Sequence, residues 1–480
     1  MAVLRVPRLL VAGVQSGVGK TTVALGLMRA LARKGLRVQP FKIGPDYIDP
    51  TYHTAAAGQV SRNLDGWMGG RSLMRHLFAR AAGSADLAIV EGVMGLFDGA
   101  GPDSDAGSTA EAAKWLDTPV VLVVDAGGMA RSAAAVVQGY AGSNPALRLA
   151  GVVFNRVGGE GHYRLLQESL ARYTRVPALG YLPRRSAIRA PERHLGLVPI
   201  LDQSALAPYL DQVADLVEAT VDLATILRLA QEAGPVDTTE DKSPFPAAPQ
   251  PTCCRIGVAR DAAFHFYYQD GLDLLTNLGA ELAFFSPLAG DALPPDMDAL
   301  YIGGGFPEVY RQELSAHQGL QLQIGQAYGY GLPIYAECGG LMYLSRAIVD
   351  LDGRNWPMAG LLPVAVRMQP RLAVLGYARA TMLQPTLLGP AGAEVTGHEF
   401  HWSVADSPPT DWPPAYRLEG RRPPARLEGF TRGHLLASYL HVHFAANPDG
   451  ARHLVAAARA HRQARQSVGR RRNQNSCGER

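Results

Sequence analysis

The chain has 480 residues, beyond the size at which one hydrophobic core stops growing, so two domains are expected. With 47% hydrophobic and 19% charged residues it reads as globular, not disordered, and a formal charge of only +3 argues against a protein committed to nucleic acid. No apolar run reaches the ~18 residues of a membrane span, no signal peptide precedes the first strand, and the four cysteines (Cys253, Cys254, Cys338, Cys477) suit neither a disulfide framework nor a zinc site, which points to a reducing cytoplasm.

The first half alternates strands and helices. Residues 9–13 form an apolar strand, and 21–33 a helix with Val23, Leu27, Ala30 and Leu31 on one face, stopped at Gly35. Residues 36–43, 87–90, 120–125 and 149–155 are short continuous apolar runs, which fit a parallel sheet covered on both faces. Residues 235–252 hold five prolines and little apolar periodicity, a stiff linker that separates an ATP-binding domain over 1–234 from a second domain over 253–458. The second domain restarts at a buried strand, 255–259, followed by strands at 281–285, 299–302 and 332–336 with helical spacers. Both halves therefore read as α/β. The stretch 459–480, with seven arginines and one acid, reads as a frayed, solvated basic tail.

Between the first strand and helix lies GVQSGVGKTT (13–22), the context of a phosphate-binding loop. Gly13, Gly17 and Gly19 expose backbone amides, Lys20 reaches the terminal phosphates, and Thr21, followed by Thr22, offers its hydroxyl to Mg²⁺. The spacing is a variant one. Five residues separate Gly13 from Gly19, Val14 stands at the usual glycine position, and Gln15 replaces the second lysine of partitioning-type ATPases. Glu91, ending the apolar run 87–90, is a second Mg²⁺ candidate. In KIGPDYIDP (42–50), past another strand end, Asp46 is a candidate Mg²⁺ ligand, and Tyr47 and Asp49 candidate acceptor-substrate contacts. EGVMGLFDG (91–99) adds Asp98.

In the second half AECGGLMYL (336–344) reads as strand, cysteine, two glycines, helix. That is a nucleophile elbow with sulfur as the nucleophile, at a helix start where the dipole favours thiolate. A base must come from elsewhere. YLHVHF (439–444) offers His441 and His443, on one face if extended, and GHEFHWS (397–403) offers His398 equally. GGGFPE (303–308) follows a strand, and its Gly304 and Gly305, with Gly339, are assigned to an oxyanion hole.

Taken together, these motifs resemble the cobyrinic acid a,c-diamide synthase family, in order from residue 9 to 444. The resemblance implies a dethiobiotin-synthetase-like parallel-sheet domain joined to a class I glutamine amidotransferase-like domain. It also implies amidation of the a and c acetate carboxylates of cobyrinic or hydrogenobyrinic acid in cobalamin biosynthesis. It makes Cys338 the nucleophile, His441 its activator, and Asn155 of VFNR (153–156) an adenine contact. In this family the third acid of class I glutaminases is missing; here His443 stands in its place, so a backbone carbonyl or Glu399 must orient His441. Partners implied are a corrinoid polycarboxylate, L-glutamine and ATP with Mg²⁺, with neither membrane nor nucleic acid; a homodimer is compatible. The competing readings are the same chemistry on another tetrapyrrole such as nickel sirohydrochlorin, a cobyric acid synthase, or a ParA-like regulatory ATPase.

Overall fold

The structure, a computed structural model, is described over residues 3–184, 192–193, 196–197, 203–239, 241–420 and 424–477. The side chains of the predicted basic tail from residue 468 on, Cys477 included, lie outside the described residues. The chain divides into two compact units, Met1–Ser243 and Pro244–Arg480.

The first unit is built on a seven-stranded sheet in which every pairing is parallel. Its order is Arg62–Leu64, Val38–Ile43, Leu87–Glu91, Arg8–Gly13, Val120–Asp125, Leu149–Val157, Ala178–Pro183. These strands are mostly apolar, as suits a sheet covered by helices on both faces; Leu87–Glu91 is buried at every position, as the continuous runs predict. The helix Lys20–Arg33 lies over the sheet on the stripe Val23, Leu27, Ala30, Leu31. The sheet starts at its central strand Arg8–Gly13, which is flanked by Leu87–Glu91 on one side and Val120–Asp125 on the other. That reversal of direction is where open parallel sheets leave a crevice beyond their strand ends.

The division at Ser243/Pro244 falls within the proline-rich segment, and each end of that segment is tied to its own unit. Val236–Asp237 pairs antiparallel with Val3–Leu4, and the Gln250 amide donates to Asn277 O at 2.9 Å.

The second unit has a ten-stranded mixed sheet. Ala280–Phe285, Cys254–Ala259, Ala299–Ile302, Ile334–Glu337 and Leu435–Ser438 are parallel neighbours. Arg426–Arg432, Pro414–Gly420, Val374–Met382, Glu394–His401 and His441–Val442 continue it antiparallel. Ser438 and His441 are three residues apart in the chain yet lie on strands separated by the whole antiparallel half. A three-residue step spans only about 10 Å. The antiparallel half must therefore curl back on the parallel one.

From Arg459 the sequence reads as a frayed tail, whereas the chain continues in one helix, Pro448–Cys477. Ala451, Leu454, Val455 and Ala458 bury one stripe of its first turns. Further along, Arg465 reaches Asp296 at 3.0 Å and Asp298 at 3.1 Å, and the intervening Ala, Arg and Gln residues are good helix formers.

Candidate active site

In the first unit the phosphate loop leaves the central strand at Gly13 and enters the helix at Lys20, as the motif requires. Gly19 has φ 95°, and a β-carbon there would stand 2.1 Å from Asn155 Nδ2, so only glycine fits. Asn155 in turn donates to Val18 O at 2.8 Å, bracing the loop. Lys20 is buried and donates to Gln15 O and to Met94 O, so the EGVMGLFDG segment lies against the loop. Burial, together with Lys42, lowers the Lys20 pKa. Within that segment Asp98 accepts from Gly95 N at 2.9 Å.

Thr21 Oγ1 donates to Glu91 Oε1 at 2.8 Å, joining helix start to strand end. Glu91 is fully buried and belongs to a charged cluster. Lys42 Nζ lies 2.8 Å from its Oε1 and 2.5 Å from Asp49 Oδ2, and His53 Nε2 lies 2.6 Å from its Oε2. Burial alone would raise Glu91, but Lys42 and His53 overcome it and hold the carboxyl far below its usual range. Burial would likewise lower Lys42, and Asp49 and Glu91 hold it up instead. Asp49 is itself raised, by burial and by Asp46, against the pull of Lys42. Asp46 Oδ1 accepts from Ile48 N and Asp49 N, capping the turn into the helix Asp49–Ala57, and Tyr47 is buried beside it. Among the described residues no three His, Cys, Asp or Glu form a metal cage. Mg²⁺ ordinarily shares substrate phosphates and keeps its waters, so an ionised Glu91 beside the Thr21 hydroxyl fits it.

In the second unit Cys338 sits between the strand Ile334–Glu337 and the helix Gly339–Leu344 at φ 46°, ψ −99°, a strained turn fixed by its N–H donating to Ser438 O at 2.7 Å. Its thiol is 4% exposed and 4.0 Å from Phe400 O on the curled antiparallel half. The expected dipole effect does not prevail. Burial and the neighbouring Glu308 carboxyl push the thiol well above its usual range, against the Gly339 amide. The helix behind it has only six residues.

Gly339 faces the glycine loop: a β-carbon on it would lie 3.0 Å from Gly305 N and 3.3 Å from Gly304 C. Gly304 in turn carries the His441 ring. A β-carbon there would stand 2.3 Å from His441 Cε1, so residue 304 must be glycine for the ring to occupy its place. His441 pairs directly opposite His398 across the strands. Its pKa is lowered to about 3 by burial, with His398 and His401 adding to it, so the ring is neutral. His443 stacks on Tyr268 at 4.5 Å. Glu399 does not orient His441. Side chains alternate along a strand, so Glu399 points to the face opposite His398, where it pairs with Arg426 at 2.5 Å and lies 3.8 Å from His401. The carboxylate beside His441 is instead Glu337, 3.9 Å from Nδ1.

A profile of the CobQ/CobB/MinD/ParA nucleotide binding domain matches residues 9–198, and one of the CobB/CobQ-like glutamine amidotransferase domain matches 255–449. The cobyrinate a,c-diamide synthase of Dehalococcoides mccartyi (strain CBDB1) is 45% identical over 453 residues, 94% of this chain and 97% of its own. That of Syntrophotalea carbinolica is 48% identical over 452 residues, 94% and 98%. The chain belongs to the cobyrinate a,c-diamide synthase family.

The two α/β halves thus carry a nucleotide-binding domain and a glutamine amidotransferase domain. Within this family frame, the structure brings together Cys338, Gly339, Gly304, Gly305 and His441 in one unit, and Lys20, Thr21, Glu91 and Asn155 in the other. Sequence reasoning missed Lys42, His53 and Glu337 as site residues. His53 could have been found, since it lies one helical turn after Asp49 and so shares its face. Lys42 stands inside the motif but reads there as an ordinary strand residue.

Proposed function

We propose that this chain converts the a and c carboxylates of cobyrinate to carboxamides in turn, taking nitrogen from glutamine and consuming ATP at each step. The observation that carries this reading is the Cys338 turn with His441 seated on Gly304, joined in one chain to a phosphate loop whose Thr21 meets Glu91.

Neutral His441 accepts the Cys338 proton as sulfur attacks the glutamine amide carbon, which overcomes a thiol otherwise held protonated. The amides of Gly339 and of the Gly304–Gly305 segment receive the oxyanion. Ammonia leaves, and water later hydrolyses the thioester. In the first unit the loop amides and Lys20 hold the ATP phosphates, and Asn155, which braces the loop through Val18 O, is assigned an adenine contact. Thr21, Glu91 and Asp46 would hold Mg²⁺, which supplies charge neutralisation on the phosphates. Tyr47, Asp49 and Asp98 are assigned to the acceptor. The substrate carboxylate takes up the terminal phosphoryl group, and ammonia displaces phosphate from the mixed anhydride.

The test is to offer purified protein ATP, glutamine and, separately, cobyrinic acid, hydrogenobyrinic acid and nickel sirohydrochlorin, and to identify products by mass spectrometry. Two successive amidations of cobyrinic acid are expected. ATP hydrolysis without any amide product from glutamine or ammonia would instead mark a regulatory ATPase.

A further inference from the structure

Glu337 immediately precedes the nucleophile, and its side chain is used by nothing in the mechanism above. Side chains alternate along Ile334–Glu337, so Ile334 and Ala336 enter the core while Tyr335 and Glu337 face the other side of the sheet. Tyr301 is the register partner of Tyr335, and the two rings stack at 5.1 Å. Both hydroxyls donate to Glu337, Tyr335 to Oε1 at 2.6 Å and Tyr301 to Oε2 at 3.1 Å. The N–H of Val442, the residue after His441, donates to Oε1 at 3.0 Å. The remaining approach to Oε2 is His441 Nδ1 at 3.9 Å.

We propose that Glu337 is the positioning acid of the glutaminase site, taking from before the nucleophile the role that class I enzymes give to a residue two places after the histidine. The inference rests on His441 being the base. One oxygen of this carboxyl holds the backbone at Val442, and the other stands beside the ring. With Nδ1 turned to Glu337, Nε2 accepts the thiol proton: the Sγ–H bond breaks, Nε2–H forms, and the sulfur pair bonds to the amide carbon. The imidazolium so formed is then stabilised by the carboxylate beside it, which is the role of the buried acid in a hydrolase triad. A distance of 3.9 Å is too long for a hydrogen bond but suits an ion pair once the ring is charged.

Burial raises Glu337 to about 7, against the three hydrogen bonds it accepts. Its carboxylate therefore develops across neutral pH. Glu337 also influences Tyr267, Tyr301, Tyr335 and Tyr416, all raised chiefly by burial, so none of these phenols competes for the proton near pH 7. Cys338 is raised chiefly by burial as well, and burial chiefly keeps His441 neutral at rest, with His398, its register partner, and His401 adding to it.

The experiment compares Glu337→Gln with the native chain, using glutamine or added ammonia as the nitrogen source across pH 6–9. Gln keeps the shape and the acceptor for Val442 but not the charge. The expected result is a fall in glutamine-dependent kcat of about 10³-fold, with little change in KM for glutamine. The rise of kcat/KM through pH 7 disappears, ammonia-dependent turnover is unchanged, and Glu337→Asp recovers part of the loss. Native-like glutamine turnover with the pH 7 rise intact overturns the proposal. If Glu337→Gln also loses ammonia-dependent turnover, the double variant Tyr301→Phe/Tyr335→Phe decides. It strips two donors from the carboxylate and must move that rise upward by about half a pH unit, and an unmoved rise overturns the proposal. His441→Ala separates the two readings: if it keeps glutamine turnover the base assignment itself fails, and if it alone loses turnover only the role of Glu337 falls.

Discussion

The His441 ring lies so close over Gly304 that a β-carbon on residue 304 would stand 2.3 Å from Cε1, well inside any real contact. The glycine loop and the histidine, 137 positions apart in the chain, therefore constrain one another.

Gly304→Ala must displace the ring. A shift of about 1 Å in a catalytic group costs about 10²-fold in rate, so glutamine-dependent amidation is expected to fall by that much while ammonia-dependent amidation is kept. Steady-state rates with each nitrogen source measure it; equal loss with both sources would mean that the glycine serves folding alone.

Cys338→Ala should abolish glutamine-dependent product and leave ammonia-dependent product, because only the nitrogen supply is removed. His441→Ala should do nearly the same. His398→Ala and His443→Ala should be milder, since His398 packs edge-on to Tyr377 and His443 stacks on Tyr268. A selective loss at His398 and none at His441 would reverse the assignment made from the Gly304 contact.

Lys20→Ala, Thr21→Ala and Glu91→Gln should each remove ATP-dependent amidation with either nitrogen source, since charge stabilisation on a transferring phosphoryl group is worth several kcal/mol. Product formation with saturating ammonia is the readout. Glu91→Gln carries a second cost, because it leaves Lys42 and His53 buried without their shared anion. Its melting temperature should fall more than that of Thr21→Ala.

Acid should unfold the second unit steeply below about pH 4.5. His265 and His441 are lowered to about 3 and His443 to about 4, each chiefly by burial. Their folded values lie below the unfolded one, so the unfolded chain binds extra protons as pH falls from 6.5, and stability is lost in that direction. Glu308, Glu337 and Glu428 are raised to about 7 by burial and act oppositely: they favour the folded chain below 4.5 and lose that contribution as pH rises through 7. Between 4.5 and 6.5 the two sets offset. Below 4.5 the histidines each cost up to about 1.4 kcal/mol per pH unit, and Glu399, whose burial is overcome by His401 and Arg426 so that it lies below its usual range, adds to the loss. His265, packed between Phe266 and Phe306, can be replaced by Phe to test this in urea unfolding at pH 3.5, 4.5 and 6. His265→Phe should show a shallower fall below 4.5; an unchanged slope would exclude its part in it.

Features carried within a few residues of chain were legible before folding. The strand, glycine loop and helix of 9–33 predict a phosphate site because the amides that would face phosphate are contiguous with Lys20 and Thr21. Strand, Cys338 and two glycines predict an elbow for the same reason, and continuous apolar runs predict buried parallel strands because the period of side chains in a covered strand is a local property. The tertiary structure decided what depends on distant segments meeting. Lys42, His53 and Glu91 form a cluster only because Val38–Ile43 lies beside Leu87–Glu91 in the sheet, with the helix Asp49–Ala57 carrying His53 to it. His398 and His441 read as equal candidates because each stands in a motif rich in histidine, and no window of sequence shows which groups meet them. In the structure they are register partners, and the His441 ring is the one over Gly304 and beside Glu337. The acidic partners that Arg465 meets, Asp296 and Asp298, likewise come from another part of the unit. Strand order and the curl of a sheet are set by side-chain burial summed over the whole unit, and no window of residues carries that sum.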